Sequence, residues 1–521
     1  MVETKKEIKY FTDQHGAEVV ETVNSIFERN AELTEAIFIT APTMCGKSTF
    51  IKTCLCEYAK KYGHKILMLV PRNPIKQQFR DEMLFTDNDD IIRIETYQTF
   101  EKRNTKKLEE ITGVYDIIVC DETHYFVSDS QFNRHTDKSF ERMLKQAAVN
   151  IFMTATPEPV QNTIKQLFQE IEPDAKIHEF IGEGVSLLKD VKFFDGDFMV
   201  DGIDKILTEI DKTEDKAIIF CHNAGMAKDL YLQRQLQSMF VCADSNKEYN
   251  GYMDKEARDK MLNEEHFDCK YLFCTSTMEM GVTLKDPKLK HIICTLHDWN
   301  SILQAMGRKR PFNGDLNDTF MLYLKDHDGH SVQGLLTQNT EALSHYNYLM
   351  RWGENEYIAE YAKNEDESHV VYFDMNDTEK IHPKIDKMIL AKLQHERKQL
   401  KEIQGLPYKN ANYKAWVYDM LGLTPYTKRK AYAVCMRLEA LVGKKFCKAD
   451  RKKIIDIIDC SNRNGRAYSG IDSLNKHLRE IGVNDIIVNQ GTDKKSRRVY
   501  WYVSGREETE SASGNILQYS A

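Results

Sequence analysis

The sequence predicts an α/β protein with two successive parallel sheets, followed by a helical region and a basic C-terminal module. Short apolar segments alternate with longer amphipathic ones through the first 350 residues, and the alternation starts again after residue 190. Strands buried in parallel sheets are continuously apolar, and amphipathic helices connect them. The charge of the chain also changes sign in its last quarter, which indicates a part with a different function.

Each sheet is predicted from four apolar segments. The first set is Ala36–Thr40, Ile66–Val70, Ile117–Cys120 and Asn150–Met153, and the second is Ala217–Cys221, Tyr271–Cys274, His291–Thr295 and Phe320–Leu324. We expect two α/β domains that join near Ile181–Glu183, with a cleft between them.

Beyond about residue 330 the pattern becomes helical. Ile381–Gln404 predicts a long helix that is entered at His382-Pro383. Asp450–Cys460 and Ile471–Ile481 predict two shorter helices, and Ile486–Asn489 with Arg497–Val503 predicts a β-hairpin. Helices followed by a hairpin resemble a winged helix, with Trp501 expected in the hairpin core.

These patterns divide the chain into five segments. They are an α/β domain over 1–183, a second over 184–330, a helical accessory region over 331–440, a winged-helix-like domain over 441–505 and a flexible tail over 506–521. The total of 521 residues is enough for about three domains.

The composition is that of a folded globular protein. Hydrophobic residues make up 41% and charged residues 29%, which excludes disordered and fibrous classes. The first twenty residues hold no apolar core of a secretory signal, and no apolar run approaches the ~20 residues of a membrane span. We expect a cytoplasmic protein without a membrane partner, or one of the host cytoplasm or nucleus if it is viral. Its twelve cysteines form no Cys-x-x-Cys pair and are expected to be reduced, mostly buried thiols.

The net charge of −8 is unevenly distributed. Residues 1–380 carry 45 Lys/Arg and 65 Asp/Glu for a net −20, whereas residues 381–505 carry 26 and 12 for a net +14. The last 16 residues carry 1 and 3, a net −2. A basic module on an acidic body favours a nucleic-acid-binding surface, and a solvated basic face is the alternative. In a winged helix Lys476 and Arg479 would lie on the helix that enters a groove, and Arg497 on the wing.

A phosphate-binding loop is predicted at Ala41–Thr49, which reads APTMCGKST between a strand and the predicted helix Phe50–Lys61. Backbone N–H groups at a helix start hold phosphate oxygens, Lys47 can reach the β- and γ-phosphates, and Ser48 can ligate Mg²⁺. Ala41 replaces the usual glycine, and Met44 would be strained if its position needs a positive φ. The predicted nucleotide contacts are Thr43, Met44, Cys45, Gly46, Lys47, Ser48 and Thr49.

The catalytic acids are predicted 74 residues after Lys47, where Ile117–His124 reads IIVCDETH. An apolar strand that ends in Asp121-Glu122 places both carboxylates at the sheet edge where the phosphate loop also lies. Asp121 would hold Mg²⁺ together with Ser48, and Glu122 would polarise the attacking water. The sequence therefore predicts ATP and Mg²⁺ as ligands.

Residues 36–312 resemble superfamily 2 helicases in six motifs that occur in the family's order. Asp121-Glu122-Thr123-His124 looks like a DExH box, and the other five are Pro71–Gln78 (motif Ia), Thr96-Tyr97-Gln98 (the next strand-contacting motif), Thr154–Pro157 (motif III), Thr275 with Gly281-Val282-Thr283 (motif V) and Gln304–Arg308 (motif VI). The resemblance implies two RecA-like domains with ATP between them.

The same resemblance implies residue roles. Pro71, Arg72, Thr96, Gln98 and Thr275 would contact a nucleic-acid strand through its backbone. Gly281 would contact the nucleotide, and Gln304 would orient water or phosphate. Thr154 and Thr156 either link the ATP site to the strand or cap strand ends. Gln14 is a candidate adenine contact.

Arginines of motif VI would stabilise the charge of phosphoryl transfer when the domains close. We expect Arg308 to be the primary arginine, and Arg310 to be either a displaced second arginine or a surface residue. The GR-x-R form of this motif is similar to that of replication-origin-binding helicases of herpesviruses and phages.

Several functions are open at this point. A DNA helicase or translocase in replication, with origin binding and replication proteins as partners, is favoured over RNA by the basic module. A DExH-type RNA helicase is the alternative, and an ATP-binding scaffold with little motor activity is a third, supported by Met44 and the displaced arginine. A restriction-enzyme motor subunit is a further possibility, although no nuclease cluster is visible. The oligomeric state is not indicated.

Overall fold

The computed structural model describes residues 10–72, 76, 79–80, 90–106, 115–128, 130, 136–144, 146–195, 199–244, 246–275, 282–362, 370–374, 381–406, 412–424, 426–460, 470–483, 486–493 and 497–505. Contacts group the chain into two compact units, Met1–Lys325 with Gly334–Leu400, and Asp326–Gln333 with Lys401–Ala521. The predicted tail 506–521 lies outside the described residues, and the five predicted segment boundaries stay a prediction.

The first sheet has six parallel strands in the order β3-β2-β4-β5-β1-β6. They are β1 (Glu35–Thr40), β2 (Ile66–Val70), β3 (Ile92–Thr96), β4 (Ile117–Cys120), β5 (Val149–Thr154) and β6 (Lys176–Ile181). Side chains alternate between the two faces, so that Ile37 and Ile39 pack with α1 on one face while Ala36 and Phe38 enter the core on the other.

Helices cover both faces of this sheet. They are α1 (Phe11–Arg29), α2 (Lys47–Phe50), α3 (Cys56–Tyr62), α4 (Tyr97–Lys106), α5 (Tyr125–Ser128), α6 (Thr136–Leu144) and α7 (Val160–Ile171). A π-helical segment, Ile51–Leu55, joins α2 to α3. The predicted helix Phe50–Lys61 therefore begins three residues earlier, at Lys47.

The second sheet is also parallel, in the order β7-β12-β11-β8-β10-β9. Its strands are β7 (Leu188–Phe194), β8 (Lys216–Cys221), β9 (Ser238–Val241), β10 (Tyr271–Thr275), β11 (Leu289–Cys294) and β12 (Phe320–Lys325). The helices are α8 (Met199–Ile210), α9 (Ala224–Gln233), α10 (Lys255–Glu264) and α11 (Trp299–Met306). All eight predicted strands are confirmed, and β3, β6, β7 and β9 were not predicted.

Helices α12 (Gly329–Ala342), α13 (Ser344–Trp352) and α14 (Glu354–Tyr361) follow the second sheet. The prediction of one helix over Ile381–Gln404 is wrong at its start. His382 and Pro383 lie in β14 (His382–Ile385), which pairs antiparallel with β13 (Val371–Asp374). Helix α15 (Lys387–Gly405) begins later because the Asp386 carboxylate accepts hydrogen bonds from the N–H groups of Met388 (2.9 Å) and Ile389 (3.0 Å).

The C-terminal unit contains α16 (Asn412–Met420), α17 (Tyr426–Glu439), β15 (Lys445–Phe446), α18 (Arg451–Ile458), α19 (Ile471–Glu480), β16 (Ile486–Thr492) and β17 (Val499–Gly505). The two predicted short helices and the hairpin are confirmed, and the winged-helix assignment stays a prediction. Trp501 is buried in the core of this unit beside Leu474 and Val488, as expected. Asn475 joins α19 to β16, since its amide exchanges two 2.8 Å hydrogen bonds with the backbone of Val488.

In the ranges that the structure describes, no helix has both the length and the apolar character that crossing a membrane requires.

Candidate functional site

The phosphate loop connects β1 to α2 at the carboxyl edge of the first sheet. Met44 has a φ of 76°, so the loop does impose the left-handed conformation that the sequence makes costly for a methionine. Gly46 follows with a φ of 77°. A Cβ atom at Gly46 would lie 3.1 Å from the Tyr10 ring, so the conformation favours glycine there and a side chain would crowd the ring.

Lys47 is buried at the start of α2, 8% exposed. Its ammonium group donates hydrogen bonds to the carbonyl oxygens of Ala41 (2.6 Å) and Pro42 (3.3 Å) in its own loop. Ser48 and Thr43 are half-buried, and Thr49 is exposed. The loop therefore collects a buried cation, a hydroxyl group and free helix-start N–H groups, which is a phosphate-binding set.

Asp121 and Glu122 follow β4 directly and lie beside this loop. Burial, and then the neighbouring Glu122 carboxylate, raise the pKa of Asp121 to about 7. Burial also acts on Glu122, but the positive charges of Lys47, His124, Arg308 and Arg310 outweigh it and hold the pKa of Glu122 below its usual value. These cations come from both α/β domains and converge on one carboxylate.

The turn that carries the two acids is fixed by local hydrogen bonds. Glu122 has a left-handed φ of 47°. The next residue, Thr123, ties the turn to the sheet, since its N–H donates to the Met153 carbonyl (2.9 Å) and its hydroxyl to the Cys120 carbonyl (2.8 Å). A residue in this conformation carries strain that the surrounding structure must hold in place.

His124 and Thr154 connect the acidic turn to the end of β5. His124 Nδ1 lies 3.4 Å from Glu122 Oε2 and 3.2 Å from Thr154 Oγ1. Thr154 Oγ1 also accepts a hydrogen bond from the Thr156 N–H (3.0 Å). Thr154 therefore caps the strand end and also contacts the DExH-like segment, while its expected link to a nucleic-acid strand stays a prediction.

The segment that joins the two α/β domains packs against the phosphate loop. A Cβ atom at Gly184 would lie 2.8 Å from the Pro42 ring and 3.0 Å from Cys45 Sγ. The Cys45 thiol donates to the Glu183 carbonyl (3.0 Å). Gln14, expected near adenine, donates its amide to the Glu183 carbonyl (3.2 Å) and accepts from the Glu183 N–H (2.8 Å). No local pattern in the sequence predicts this contact.

Arg308 and Arg310 lie two positions apart on a segment that pairs with Leu284. Successive side chains of an extended segment face opposite sides. Lys309 accordingly turns away and pairs with Asp318, whereas both arginines lie near Glu122. This alternation explains how GR-x-R directs two cations to one place.

The two arginines differ in their partners. Arg308 is buried and donates to the carbonyl oxygens of Gln304 (2.9 Å) and Val282 (3.1 Å) and to Gln304 Oε1 (3.0 Å). Arg310 has a buried Nη1 atom without a hydrogen-bond partner, so it is not a surface residue. Burial, and then the Arg308 charge, lower the pKa of Arg310 to about 10.

The two α/β domains touch at two further points. A Cβ atom at Gly307 would lie 2.9 Å from Cγ2 of Thr43 in the phosphate loop. The Asn300 amide in α11 donates to the Glu158 carbonyl (2.7 Å), which follows β5 in the first domain. The site is thus a joint between domains, and its parts were predicted but its contacts were not.

In the first domain, the residues that are predicted to contact a nucleic-acid strand lie at the ends of neighbouring β-strands. Val70 and Thr96 are in register at the carboxyl ends of β2 and β3, which brings Pro71 and Arg72 close to Thr96 and Gln98. In the second domain Thr275 ends β10, and Gly281 lies outside the described residues. In the C-terminal unit Lys476, Arg479 and Arg497 are exposed, the first two one turn apart on α19.

Buried polar atoms at the joint show whether ATP and a divalent cation fit. Glu122 Oε2, Gln304 Nε2 and Arg310 Nη1 are all buried without a hydrogen-bond partner. Unsatisfied buried groups are costly and rare, so three at one joint indicate a place for a polar ligand. Among the described residues no three His, Cys, Asp or Glu side chains form a metal cluster. Mg²⁺ does not need such a cluster, because it is usually held by one or two carboxylates together with phosphate oxygens.

Two family models match the chain, one on each α/β domain. Residues 11–159 match the model described as type III restriction enzyme, res subunit, and residues 201–310 match the helicase conserved C-terminal domain. The two occur in order on two parallel sheets. Both α/β domains are therefore similar to domains of helicases. The chain is an ATP-hydrolysing enzyme of the helicase type, and such enzymes use ATP with a divalent metal and act on nucleic acid.

Solved helicase structures resemble this helicase at low identity. Saccharomyces cerevisiae Dbp5 bound to RNA and ADP BeF3 is 16% identical, with 62% of this chain and 89% of that chain covered and a TM-score of 0.43. The DEAD-box helicase Mss116 bound to ssRNA and UDP-BeF is 12% identical, with 64% and 76% covered and a TM-score of 0.44. The Pyrococcus furiosus Hef helicase domain is 13% identical, with 61% of this chain and 98% of that chain covered and a TM-score of 0.36. No curated protein sequence matches the chain.

Proposed function

We propose that this helicase is an ATP-driven translocase or helicase that acts on DNA in replication. The observation that carries the motor part is the joint, where Glu122, Gln304 and Arg310 from both domains each keep a buried polar atom without a hydrogen-bond partner. A ligand that satisfies all three must hold the domains together, and its hydrolysis must release them. Nucleotide turnover would thereby drive domain movement.

In the proposed mechanism the first domain supplies the phosphate grip. Lys47 would exchange its bonds to the Ala41 and Pro42 carbonyls for bonds to phosphate oxygens. Ser48 and Asp121 would hold Mg²⁺, which neutralises charge on the phosphates when bound. Glu122, kept ionised by the surrounding cations, would orient a water molecule and take its proton.

We assign the second domain's charge to Arg310 rather than to Arg308. The guanidinium of Arg308 is engaged with Gln304 and Val282, so it positions Gln304 and braces its own domain. Arg310 retains a buried donor atom and lies near Glu122 and Cys45. A donor without a protein partner is free to stabilise charge that develops during phosphoryl transfer. This reverses the order that the sequence suggested.

Nucleic acid would be held in two places. Pro71, Arg72, Thr96 and Gln98 in the first domain, with Thr275 in the second, would contact the backbone of a strand. Lys476, Arg479 and Arg497 would bind duplex DNA from the C-terminal unit in the manner of a winged helix. The exposure of these three cations in a segment with a net charge of +14 supports DNA binding there.

The test is ATP hydrolysis measured in parallel with single-stranded DNA, duplex DNA and RNA of matched sequence. We expect DNA to raise kcat most, and Lys47→Ala and Glu122→Gln each to lower the stimulated rate by about a hundredfold or more. Lys476→Ala with Arg479→Ala should weaken DNA binding and reduce its salt dependence, because each phosphate contact releases counterions. Lys212→Ala, an exposed lysine paired with Glu209, is the control for charge loss.

Two outcomes would change the proposal. Stronger stimulation by RNA would establish the DExH-type RNA helicase, since backbone contacts at a sheet edge do not select the sugar. Tight ATP binding with no stimulation by any nucleic acid would favour the ATP-binding scaffold, for which the strained Met44 is the supporting observation.

A further inference from the structure

We propose that Tyr97 is a positioning residue that transmits contact with a nucleic-acid strand to the catalytic Glu122. The inference rests on the proposed function, because it needs a strand bound near Thr96. Tyr97 is the first residue of α4 and follows Thr96 directly. Its hydroxyl group donates a 2.7 Å hydrogen bond to the carbonyl oxygen of Asp121.

The Tyr97 side chain has no freedom to move independently of the turn that carries it. It is fully buried, and its ring stacks on Tyr125 with centroids 4.4 Å apart and planes 8° apart. Phe126 packs against the same ring edge-on at 5.0 Å. A displacement of the Tyr97 backbone must therefore be passed to its hydroxyl group and so to the Asp121 carbonyl.

The Asp121 carbonyl matters because it belongs to the peptide group that joins Asp121 to Glu122. The orientation of that peptide plane sets φ of Glu122, which is 47° and disfavoured for this residue. Thr123 is fixed on the other side of Glu122 by its bonds to Met153 and Cys120. The Tyr97 hydroxyl group thus holds the peptide group that precedes Glu122, as Thr123 holds the chain that follows it. The direction of the Glu122 carboxylate therefore depends on the hydrogen bond of Tyr97.

The Thr96 hydroxyl group is where a bound nucleic-acid strand would act on Tyr97. Thr96 Oγ1 lies 2.8 Å from Thr99 Oγ1 and accepts a hydrogen bond from the Thr99 N–H (3.2 Å), so it closes the first turn of α4. A strand phosphate at Thr96 would bond to the same hydroxyl group. Strand binding would therefore fix the turn, the turn would fix Tyr97, and Tyr97 would fix the peptide plane that aims Glu122.

The decisive variant is Tyr97→Phe, because it removes one oxygen atom and keeps the ring stack. Tyr125→Phe is the matched control. Tyr125 is equally buried in the same stack, but its hydroxyl group bonds to Glu101 (3.5 Å) and not to Asp121. We expect Tyr97→Phe to lower the nucleic-acid-stimulated kcat by about tenfold and the basal kcat by less than about threefold, equivalent to about 1.4 kcal/mol for the former. KM for ATP should stay within about twofold, as expected when only transition-state positioning is lost.

Tyr125→Phe should keep both rates and the ratio of stimulated to basal kcat. An equal ratio in the two variants would overturn the inference, and so would an equal fractional loss of basal and stimulated rates in Tyr97→Phe. A wild-type enzyme that no nucleic acid stimulates would instead overturn the proposed function, so the two failures are distinguishable.

A second measurement on the wild-type protein avoids any folding defect of the variants. Hydrogen exchange of the peptide that spans residues 121–126 should slow on addition of the stimulating nucleic acid without ATP. Unchanged exchange there would overturn the proposed connection, whatever the variants show.

Discussion

Arg308 and Arg310 show how two residues of one type, two positions apart, acquire different tasks. Arg308 satisfies its guanidinium with three acceptors of its own domain, and one of them, the Val282 carbonyl, is 26 residues away in sequence. Arg310 keeps a buried nitrogen atom unsatisfied. The motif brings both near Glu122, but only the long-range partners distinguish them, so the order that we propose differs from the order expected from the sequence.

The ranking can be tested by single substitutions. Arg310→Ala should lower kcat by about a hundredfold or more, because a donor to transition-state charge is lost. Its thermal midpoint should not fall, since a buried unpaired nitrogen is removed with the side chain. Steady-state hydrolysis and thermal unfolding measure the two effects.

Arg308→Ala is the matched comparison. It leaves buried carbonyl oxygens without donors, so the free energy of unfolding should fall by about 1.5–3 kcal/mol. The opposite result would be a lower kcat with unchanged stability for Arg308→Ala, and lower stability with unchanged kcat for Arg310→Ala. That result would restore Arg308 as the primary arginine, as expected from the sequence.

Whether a β-strand could be predicted from the sequence depended on its place in its sheet. The eight strands found from sequence are the inner strands of both sheets, and the four that were missed, β3, β6, β7 and β9, are the four sheet edges. Inner strands are buried on both faces and are continuously apolar. The edge strands β3, β6 and β7 keep charged residues such as Arg93 and Glu179 at exposed positions, so no continuous apolar run marks them, whereas β9 is apolar but only four residues long.

Helix α15 shows a different limit, because its start depends on a single carboxyl group. Asp386 is buried, and burial followed by the nearby Asp137 carboxylate raises its pKa to about 7. Unfolded, the same group would release its proton near pH 4. Between these values the folded state binds more protons than the unfolded state, so stability is greatest at the acid end and falls as pH rises.

Asp386→Asn should remove this pH dependence. The amide oxygen can still accept from the Met388 and Ile389 N–H groups, while the titrating charge is gone. We expect the variant to be more stable than the wild type at pH 8, by on the order of 1–3 kcal/mol, and to match it near pH 4. Asp254→Asn, an exposed helix-capping aspartate that accepts from the Ala257 N–H, should follow the wild-type pH profile in thermal unfolding. A profile for Asp386→Asn that parallels the wild type would contradict the assignment.

At the scale of the whole molecule, the joint between the α/β domains depends on how closely they can approach. Gly307 meets Thr43 with no room for a side chain. Gly307→Ala should force Thr43 to rotate or the domains to separate slightly, and kcat should fall by about three- to tenfold, since small misplacements at reacting groups are costly. Hydrolysis at saturating ATP measures the effect.

Two companion variants make this test specific. Gly251→Ala, at a glycine with nothing within 4 Å of its added Cβ, should keep the wild-type rate. Thr43→Ser combined with Gly307→Ala removes the methyl group that the new side chain meets and should recover part of the loss. Failure of the serine to recover any activity would show that the crowding lies elsewhere.

The glycine-bearing segment between the domains has a consequence for how the molecule can be divided. Gly182 and Gly184 lie against Ala41, Pro42 and Cys45, so the segment that leads into the second α/β domain forms one wall of the phosphate loop of the first domain. A first domain that is cut at Ile181 would lack that wall and expose the buried thiol of Cys45. The smallest fragment that folds with a native phosphate loop must therefore extend past Gly184. The segment between the two α/β domains is thus part of the structure of the first domain as well as the start of the second.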